Sequence, residues 1–317
     1  MDFSDWGESH IWDWKGFQCH WRVLGEPNSR PIVLVHGFGA SSNHWRHNAK
    51  VFAKDGYRVF GLDLIGFGSS SQPKPDPRNP LDNYFWAKQI VAFLEEIVKP
   101  KSSGPSVLIG NSLGSLAAIT TVAFRPDLVA AVIAAPLPDP AIMTPLAKQT
   151  ASPLCQKIKK KFITVFFHLI PLELIVFFIS KTFLIKTGLQ MAYSKSIQGD
   201  KELHRLITQP ARRPTAPRAL RSMCIGMTLR RREHTAPLLL QKIAQAVIRP
   251  PILLIWGKED RLVPLFIGHT IVGMHPWLKL LVIDSCGHCP HDELPDEFNK
   301  TVLNWLKSNL IGDPRLA

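Results

Sequence analysis

Ser112 lies at the centre of Gly110-Asn111-Ser112-Leu113-Gly114, after an apolar run and before small residues that can form a helix. This G-x-S-x-G pattern predicts a tight strand–turn–helix, because glycine tolerates the crowding on both sides of the serine. Such a turn exposes Ser112 Oγ for nucleophilic attack and leaves the Leu113 N–H free to bind a developing oxyanion. A five-residue motif also arises by chance, so this interpretation requires an acid, a histidine and a second N–H donor elsewhere in the chain.

Asp260 and His288 are the candidate acid and base, and each follows an apolar run that predicts a buried strand. The histidine would take the proton of Ser112, while the carboxylate would fix the histidine tautomer and stabilise the imidazolium. Glu259 and His291 are the rival residues. We favour His288 because Gly287 precedes it at a strand end, whereas His291 lies past a proline and next to the last predicted helix.

The segment His36-Gly37-Phe38-Gly39 follows another apolar run and is the candidate second oxyanion loop. Its glycines would let the backbone turn beside the nucleophile, so that the Phe38 N–H and the Leu113 N–H bind the same oxygen. An ordinary glycine-rich strand–helix turn is the alternative. The residues that would support this geometry are His36, Gly37, Gly110, Asn111 and Gly114.

Cys286, His288, Cys289 and His291 also resemble zinc ligands by residue type. Four ligands within six residues cannot easily surround one tetrahedral ion, and structural zinc sites normally use two separated pairs. We therefore predict no metal and no cofactor, and we interpret Cys289 as a small packing residue.

Six apolar runs alternate with amphipathic helical patterns along most of the chain, which indicates a mostly parallel, doubly wound α/β sheet covered on both faces. Residues 10–24 predict a hairpin ahead of this alternation. Residues 143–246 interrupt it, so we expect a core of residues 1–142 and 247–317 with an inserted, mainly helical lid. The predicted strands are 31–36, 57–63, 106–110, 128–135, 251–256 and 278–284, and the predicted helices are 44–54, 82–98, 112–124 and 296–310.

The net charge of +13 is concentrated in the predicted lid. Residues 146–245 contain 18 Lys and Arg but 4 Asp and Glu, whereas the rest of the chain contains 20 and 21. A basic block within an otherwise neutral protein indicates contact with an anionic surface. The acidic N-terminus does not resemble a signal peptide, and five cysteines without a framework spacing indicate reduced thiols. We therefore expect a cytoplasmic or peripheral membrane protein that is not secreted.

Residues 162–179 are mostly apolar and have Lys159, Lys160 and Lys161 before them. A bilayer-spanning helix needs about 20 apolar residues, and Glu173 would be costly at its centre. An interfacial position, with aromatic side chains in the headgroup region and lysines on anionic lipid, fits better. We expect residues 157–232 to face an anionic membrane. The alternative is a lid with its own apolar core and solvated cations.

Nucleic acid is not expected, because no recognition module is present.

Five blocks occur in order along the chain: His36-Gly37-Phe38-Gly39, Asp63-x-x-Gly66-x-Gly68-x-Ser70, Gly110-Asn111-Ser112-Leu113-Gly114, Gly257-x-x-Asp260 and Gly287-His288-Cys289-Pro290-His291-Asp292-Glu293-x-Pro295. Together they resemble the α/β-hydrolase superfamily, and Ser112, Asp260 and His288 follow the chain order of its catalytic triad. The block around Ser112 and the block from Gly287 to Glu293 also resemble the pheophytinase and chlorophyll-dephytylase branch of plants and cyanobacteria, which cleaves the phytyl ester of chlorophyll-type pigments at photosynthetic membranes.

This resemblance implies a serine hydrolase that cleaves a hydrophobic carboxylic ester through an acyl-enzyme, with a phytyl ester as one candidate and a thylakoid or stromal-side location. A glycerolipid esterase and a non-catalytic membrane-associated scaffold are the alternatives. Epoxide hydrolases and dehalogenases of this fold need a carboxylate at the elbow, and Ser112 argues against them. A perhydrolase or a carbon–carbon bond hydrolase keeps the serine and stays open.

Overall fold

The fold is built on one eight-stranded sheet. The computed structural model describes residues 5–144, 161–167, 169–173 and 183–310. The strands are β1 Glu8–Trp14, β2 Phe17–Leu24, β3 Arg30–Val35, β4 Tyr57–Leu62, β5 Ser106–Asn111, β6 Val129–Ala135, β7 Ile252–Gly257 and β8 Lys279–Ile283. Their order in the sheet is β1-β2-β4-β3-β5-β6-β7-β8. The first two strands form an antiparallel hairpin, and β2 pairs antiparallel with β4, while the six strands from β3 to β8 are parallel.

The central strands are buried on both faces, which explains why they are apolar along their whole length rather than alternating. Every residue of β5 and β6 is buried. Two large apolar clusters lie on opposite sides of the sheet, one with Trp86 and Leu116 and the other with Phe52 and Phe298. The predicted doubly wound α/β arrangement is thus confirmed. Its helices are α1 Ala49–Lys54, α2 Asn83–Phe93, α3 Leu113–Phe124, α4 Phe183–Met191, α5 Lys201–Ala211, α6 Ala216–Leu229, α7 Ala236–Ala244, α8 Leu265–Met274 and α9 Pro295–Leu310.

The segment 42–54 differs from the single helix predicted over 44–54. Residues Ser42–Trp45 form a 3₁₀ turn, and the α-helix begins only at Ala49. Buried polar side chains explain the difference, since Asn48 Nδ2 donates to the carbonyl of His291 and to Asn299 Oδ1. The chain follows these distant partners instead of a regular helical path.

The chain between β6 and β7 contains α4 to α7 and a short helical turn at residues 161–167. The apolar run 162–179 lies partly outside the described residues, as do Lys159 and Lys160. Within the described ranges, no helix has the length and apolar character needed to span a bilayer. The boundaries placed at 142/143 and 246/247 stay predictions. We call residues 143–246 the insertion.

The candidate site residues follow the carboxyl ends of parallel strands, where ligands collect in open α/β sheets. Phe38 follows β3, Ser112 follows β5, Asp260 follows β7 and His288 follows β8. The sheet therefore brings four distant segments of the chain to one edge.

Candidate active site

Ser112 has a left-handed backbone conformation, with φ 51° and ψ −114°, at the junction of β5 and α3. This conformation costs about 1–3 kcal/mol for a residue with a side chain, and the surrounding structure must hold it. A Cβ on Gly114 would lie 2.2 Å from the Val35 carbonyl oxygen, and one on Gly110 would lie 2.5 Å from the Ser115 nitrogen. Both glycines are needed because backbone approaches backbone here.

Ser115 and Asn111 fix the turn from either side. Ser115 Oγ donates to the Gly110 carbonyl at 2.8 Å and accepts from the Ala135 N–H at 3.0 Å. Asn111 Nδ2 donates to the carbonyls of Ala135 at 2.7 Å and His288 at 3.2 Å. Asn111 therefore ties the serine turn directly to the histidine loop. The motif alone gave no signal for the role of Ser115, which depends on the neighbouring strand.

Asp260 and His288 form a buried pair, with Asp260 Oδ2 2.8 Å from His288 Nδ1. The other carboxylate oxygen accepts the N–H groups of Leu262 and Val263, each at 2.9 Å. Because Nδ1 donates to the carboxylate, Nε2 is the nitrogen left to accept a proton. Exposed Glu259 is not part of this pair.

Among the described residues, Ser112 Oγ makes no hydrogen bond to His288, and Ser112 itself is 9% exposed. The two loops are joined instead through the Asn111 side chain and the His288 carbonyl. Catalytic hydrogen bonds are often long in substrate-free enzymes and shorten when substrate binds. Asp260 and His288 are thus paired on a loop that Asn111 ties to the serine turn.

The Phe38 and Leu113 N–H groups donate no hydrogen bond within the described residues. Their loops meet closely, because a Cβ on Gly37 would lie 2.5 Å from Asn111 Oδ1 and 3.4 Å from Ser112 Cβ. Two free N–H groups on touching loops beside a serine are the donors that an oxyanion needs.

His36 fixes the loop that carries Phe38. Its Nε2 accepts the Leu64 N–H at 3.0 Å, so Nδ1 carries the hydrogen and donates to the Gly37 carbonyl at 2.7 Å. Burial lowers the pKa of His36, which keeps the ring neutral. His36 therefore acts on the loop geometry and not as a base.

His291, the rival base, lies in a different polar cluster. Its Nε2 is 3.3 Å from His44 Nδ1, and its ring packs against Trp45 with the two ring planes tilted by 39°. Cys289 packs in an apolar cluster with residues of the insertion, and Cys286 lies in the sheet core. Within the described ranges, no group of three or more His, Cys, Asp or Glu side chains is placed to hold a metal ion.

A buried network that the sequence did not predict joins the core, the histidine loop and the insertion. Arg46 Nε donates to Asp292 at 2.8 Å, and its other nitrogens bond Asp200 and Glu202. Although burial opposes ionisation of Asp292, His44 and Arg46 hold its pKa below the ordinary value. Burial lowers the pKa of His44 to about 4. The residues around Arg46 are mostly polar, so the sequence carries no signal that this arginine is buried.

The chain belongs to the α/β-hydrolase family, because the family model described as "Alpha/beta hydrolase family" matches residues 32–301. The chain is similar to "Epoxide hydrolase 4" of Mus musculus, at 22% identity over 94% of this chain and 79% of that protein. It is also similar to a 2-hydroxy-6-oxononadienedioate/2-hydroxy-6-oxononatrienedioate hydrolase of Burkholderia vietnamiensis, at 24% identity over 92% of this chain and 91% of that protein.

A solved thermophilic esterase from Thermogutta terrifontis has the same fold, with a TM-score of 0.67 and 18% identity over 95% of this chain and 99% of that one. The α/β-hydrolase fold expected from the sequence is therefore confirmed. These similarities do not distinguish the pheophytinase-like branch.

The neutral state of His44 predicts an acid-dependent loss of stability. In the unfolded chain His44 is protonated below its ordinary pKa of 6.5. In the folded protein burial lowers the pKa of His44 to about 4, so the ring stays neutral down to about that pH. The free energy of unfolding should therefore fall by about 3 kcal/mol from this group alone as the pH drops across that range.

Urea denaturation at pH 7 and pH 4.5 measures this contribution to the free energy of unfolding. The wild type is compared with His44→Gln and, as a control, with His269→Gln, which alters an exposed histidine. We expect His44→Gln to weaken the pH dependence and His269→Gln to leave it intact. An unchanged pH dependence in His44→Gln would contradict the assignment.

Proposed function

We propose that the protein is a serine hydrolase that cleaves hydrophobic carboxylic esters through an acyl-enzyme. The observation that carries this proposal is the buried Asp260–His288 hydrogen bond of 2.8 Å next to the strained turn of Ser112. The free N–H groups of Phe38 and Leu113 would supply the hydrogen-bond donors for the oxyanion. A hydrolase of this family needs these parts and no bound metal or cofactor.

The reaction would begin as His288 Nε2 takes the proton of Ser112 Oγ while that oxygen bonds to the ester carbonyl carbon. The Phe38 and Leu113 N–H groups would bind the resulting oxyanion. The carbon–alkoxide bond then breaks, and the imidazolium gives its proton to the departing alcohol. A water molecule repeats the attack with His288 as base, the bond to Ser112 Oγ breaks, the proton returns to Oγ, and the acid leaves.

Exposed apolar side chains just beyond the carboxyl ends of the strands support a hydrophobic substrate. Phe38, on the candidate oxyanion loop, is 60% exposed, and Leu262 and Phe266, on the loop after β7 and in the first turn of α8, are exposed just beyond Asp260. Exposed apolar groups grouped at one edge of a sheet are typical of binding surfaces. The phytyl ester of a chlorophyll-type pigment fits this chemistry and the block around His288. A glycerolipid ester fits it as well.

Two other reactions follow from the relatives. Epoxide opening in this fold uses a carboxylate nucleophile, and position 112 is serine. The similarity to the 2-hydroxy-6-oxononadienedioate/2-hydroxy-6-oxononatrienedioate hydrolase favours carbon–carbon bond hydrolysis as a second candidate, because that chemistry is compatible with a serine.

Replacement of the nucleophile gives the direct test. Ser112→Ala should lower hydrolysis of p-nitrophenyl butyrate by about 10⁴-fold or more, since the serine and histidine act as a unit. A fluorophosphonate probe should label the wild type once and Ser112→Ala not at all, as measured by intact-protein mass. Exposed Ser308→Ala is the matched control and should behave as the wild type. Retained hydrolysis in Ser112→Ala, or an unlabelled wild type, would refute the proposal and favour a non-catalytic scaffold.

The substrate class is measured by incubation with pheophytin, a mixed-chain phosphatidylcholine and a 2-hydroxy-6-oxo-dienoate, each with Ser112→Ala as control. Release of phytol supports the pigment ester, and release of fatty acid moves the assignment to glycerolipids. Cleavage of the dienoate with neither ester consumed would favour the carbon–carbon bond hydrolase.

We also propose that the insertion docks on an anionic phospholipid bilayer, which would make the protein a peripheral membrane protein, at the thylakoid or stromal side for a pigment ester. Phe162, Val165, Phe166 and Leu169 are all exposed, with Phe162 at 69% and Leu169 at 77%. The spacing of Phe162, Val165 and Phe166 puts them on one side of the helical turn, and Leu169 follows it along the chain. Exposed Lys161 adjoins this stripe.

The stripe is held facing outward by contacts on the other side of the segment. Arg221 Nε donates to the Phe167 carbonyl at 2.9 Å, and its terminal nitrogens bond the Ile170 carbonyl and Glu173. The surrounding excess of 14 positive charges in residues 146–245 complements anionic lipid. Apolar insertion and charge attraction together are what interfacial binding requires.

Vesicle flotation tests this docking. The wild type should float with phosphatidylcholine vesicles that contain 30% phosphatidylglycerol, and high salt should weaken that binding. Phe162→Ser/Phe166→Ser should reduce the bound fraction several-fold, while Ile11→Ser, which alters an equally exposed side chain on β1, should not. Equal binding with and without anionic lipid, or unchanged binding of the double variant, would contradict the proposal.

A further inference from the structure

Residues 192–195 of the insertion lie directly against the loop that carries His288. The His288 N–H donates to the Ala192 carbonyl at 2.7 Å. A Cβ on Gly287 would lie 2.6 Å from that same oxygen and 2.9 Å from the Ser194 nitrogen, so only glycine fits between them. The main chain of the candidate base therefore takes part of its support from the insertion.

Glu293 joins the two segments through one carboxylate. Its Oε2 accepts the Gly287 N–H at 2.7 Å, on the histidine loop. Its Oε1 accepts the Ser194 N–H at 2.8 Å, the Lys195 N–H at 2.9 Å and the Ser194 hydroxyl, all on the insertion. A charged carboxylate makes stronger hydrogen bonds than a neutral amide does, and only its two equivalent acceptor oxygens can serve both sides.

Two further hydrogen bonds can hold the same segment without Glu293. Tyr193 Oη donates to Asp292 Oδ2 at 2.8 Å, and the Ser194 hydroxyl, whose single hydrogen serves one acceptor at a time, can donate to the Ser285 carbonyl at 2.8 Å in place of Glu293. Cys289 packs with Ala192 and Tyr193 in one apolar cluster. Loss of Glu293 would thus loosen the support of Gly287 while the segment stays attached.

The histidine loop needs such support because it has little regular structure of its own. Ser285 has a left-handed φ of 53°, and β8 ends at Ile283. A general base must stay within about 0.5 Å of its working position, and supporting hydrogen bonds supply that precision. The hydrogen bond to Asp260 fixes one edge of the imidazole, and the main chain at Gly287 and His288 fixes the position of the Cα from which the imidazole side chain extends.

We propose that Glu293 is a positioning residue for His288, and that residues 192–195 are a fixed part of the catalytic frame. This inference rests on the proposed function, since it assigns a role to a neighbour of the proposed base. Glu293 touches no reacting atom. It acts through the Gly287 N–H and through the three donors of Ser194 and Lys195.

Steady-state kinetics on p-nitrophenyl butyrate tests the role. In Glu293→Gln the amide has one acceptor oxygen, so either Gly287 or Ser194 and Lys195 must face an NH₂ group. We expect kcat to fall about 10- to 100-fold, because a misplaced catalytic group costs rate, with KM changed less than about threefold. Glu297→Gln, an exposed carboxylate on α9, is the matched control and should match the wild type.

Active-site titration with the fluorophosphonate, done well below the melting temperature of each variant, normalises kcat to folded enzyme. Ser194→Ala provides a second, milder variant, which keeps the main-chain donor and loses the hydroxyl, and we expect a kcat loss of about threefold to tenfold.

An unchanged kcat in Glu293→Gln, or a raised KM with kcat intact, would overturn the positioning role. If Glu293→Gln does not fold, an unchanged kcat in Ser194→Ala would overturn it. A wild type without hydrolysis or labelling would instead count against the proposed function.

Discussion

The main constraint in this molecule is the close approach of backbone to backbone around Ser112. The left-handed φ of this serine persists because Gly110 and Gly114 let β5, α3 and the end of β3 come within van der Waals range. Any Cβ at Gly114 would overlap the Val35 carbonyl. This turn fixes the relative positions of the Phe38 loop, the histidine loop and the serine hydroxyl. The surrounding contacts hold the backbone strain at Ser112, and the strained turn gives the three segments a fixed geometry.

The parts that the sequence predicted are those governed by local chemistry. Glycine spacing around Ser112 and fully apolar runs such as β5 and β6 reflect sterics and burial, and both predictions were confirmed in the fold. The pairing of Asp260 with His288 rather than with His291 was also anticipated, because strand ends converge at one edge. The catalytic roles of these residues stay a proposal.

The parts that the sequence did not predict depend on partners far apart along the chain. Arg46 contacts Asp200, Glu202 and Asp292 across separations of 154, 156 and 246 residues. No periodicity or local motif encodes such contacts. The same applies to the late start of α1, since Asn48 bonds the carbonyl of His291. Arg46 and Asn48, which read in the sequence as ordinary polar loop residues, therefore join three segments of the fold.

The attachment of residues 192–195 to the histidine loop divides the insertion into two mechanically different parts. In one part the Ala192 carbonyl accepts the His288 N–H, and Ser194 and Lys195 share the Glu293 carboxylate with Gly287. The turn at 161–167 is instead held by Arg221, which donates to the Phe167 carbonyl. Loss of the Arg221 contacts to the turn would therefore leave the hydrogen bonds of Ala192 and Glu293 to the His288 loop in place.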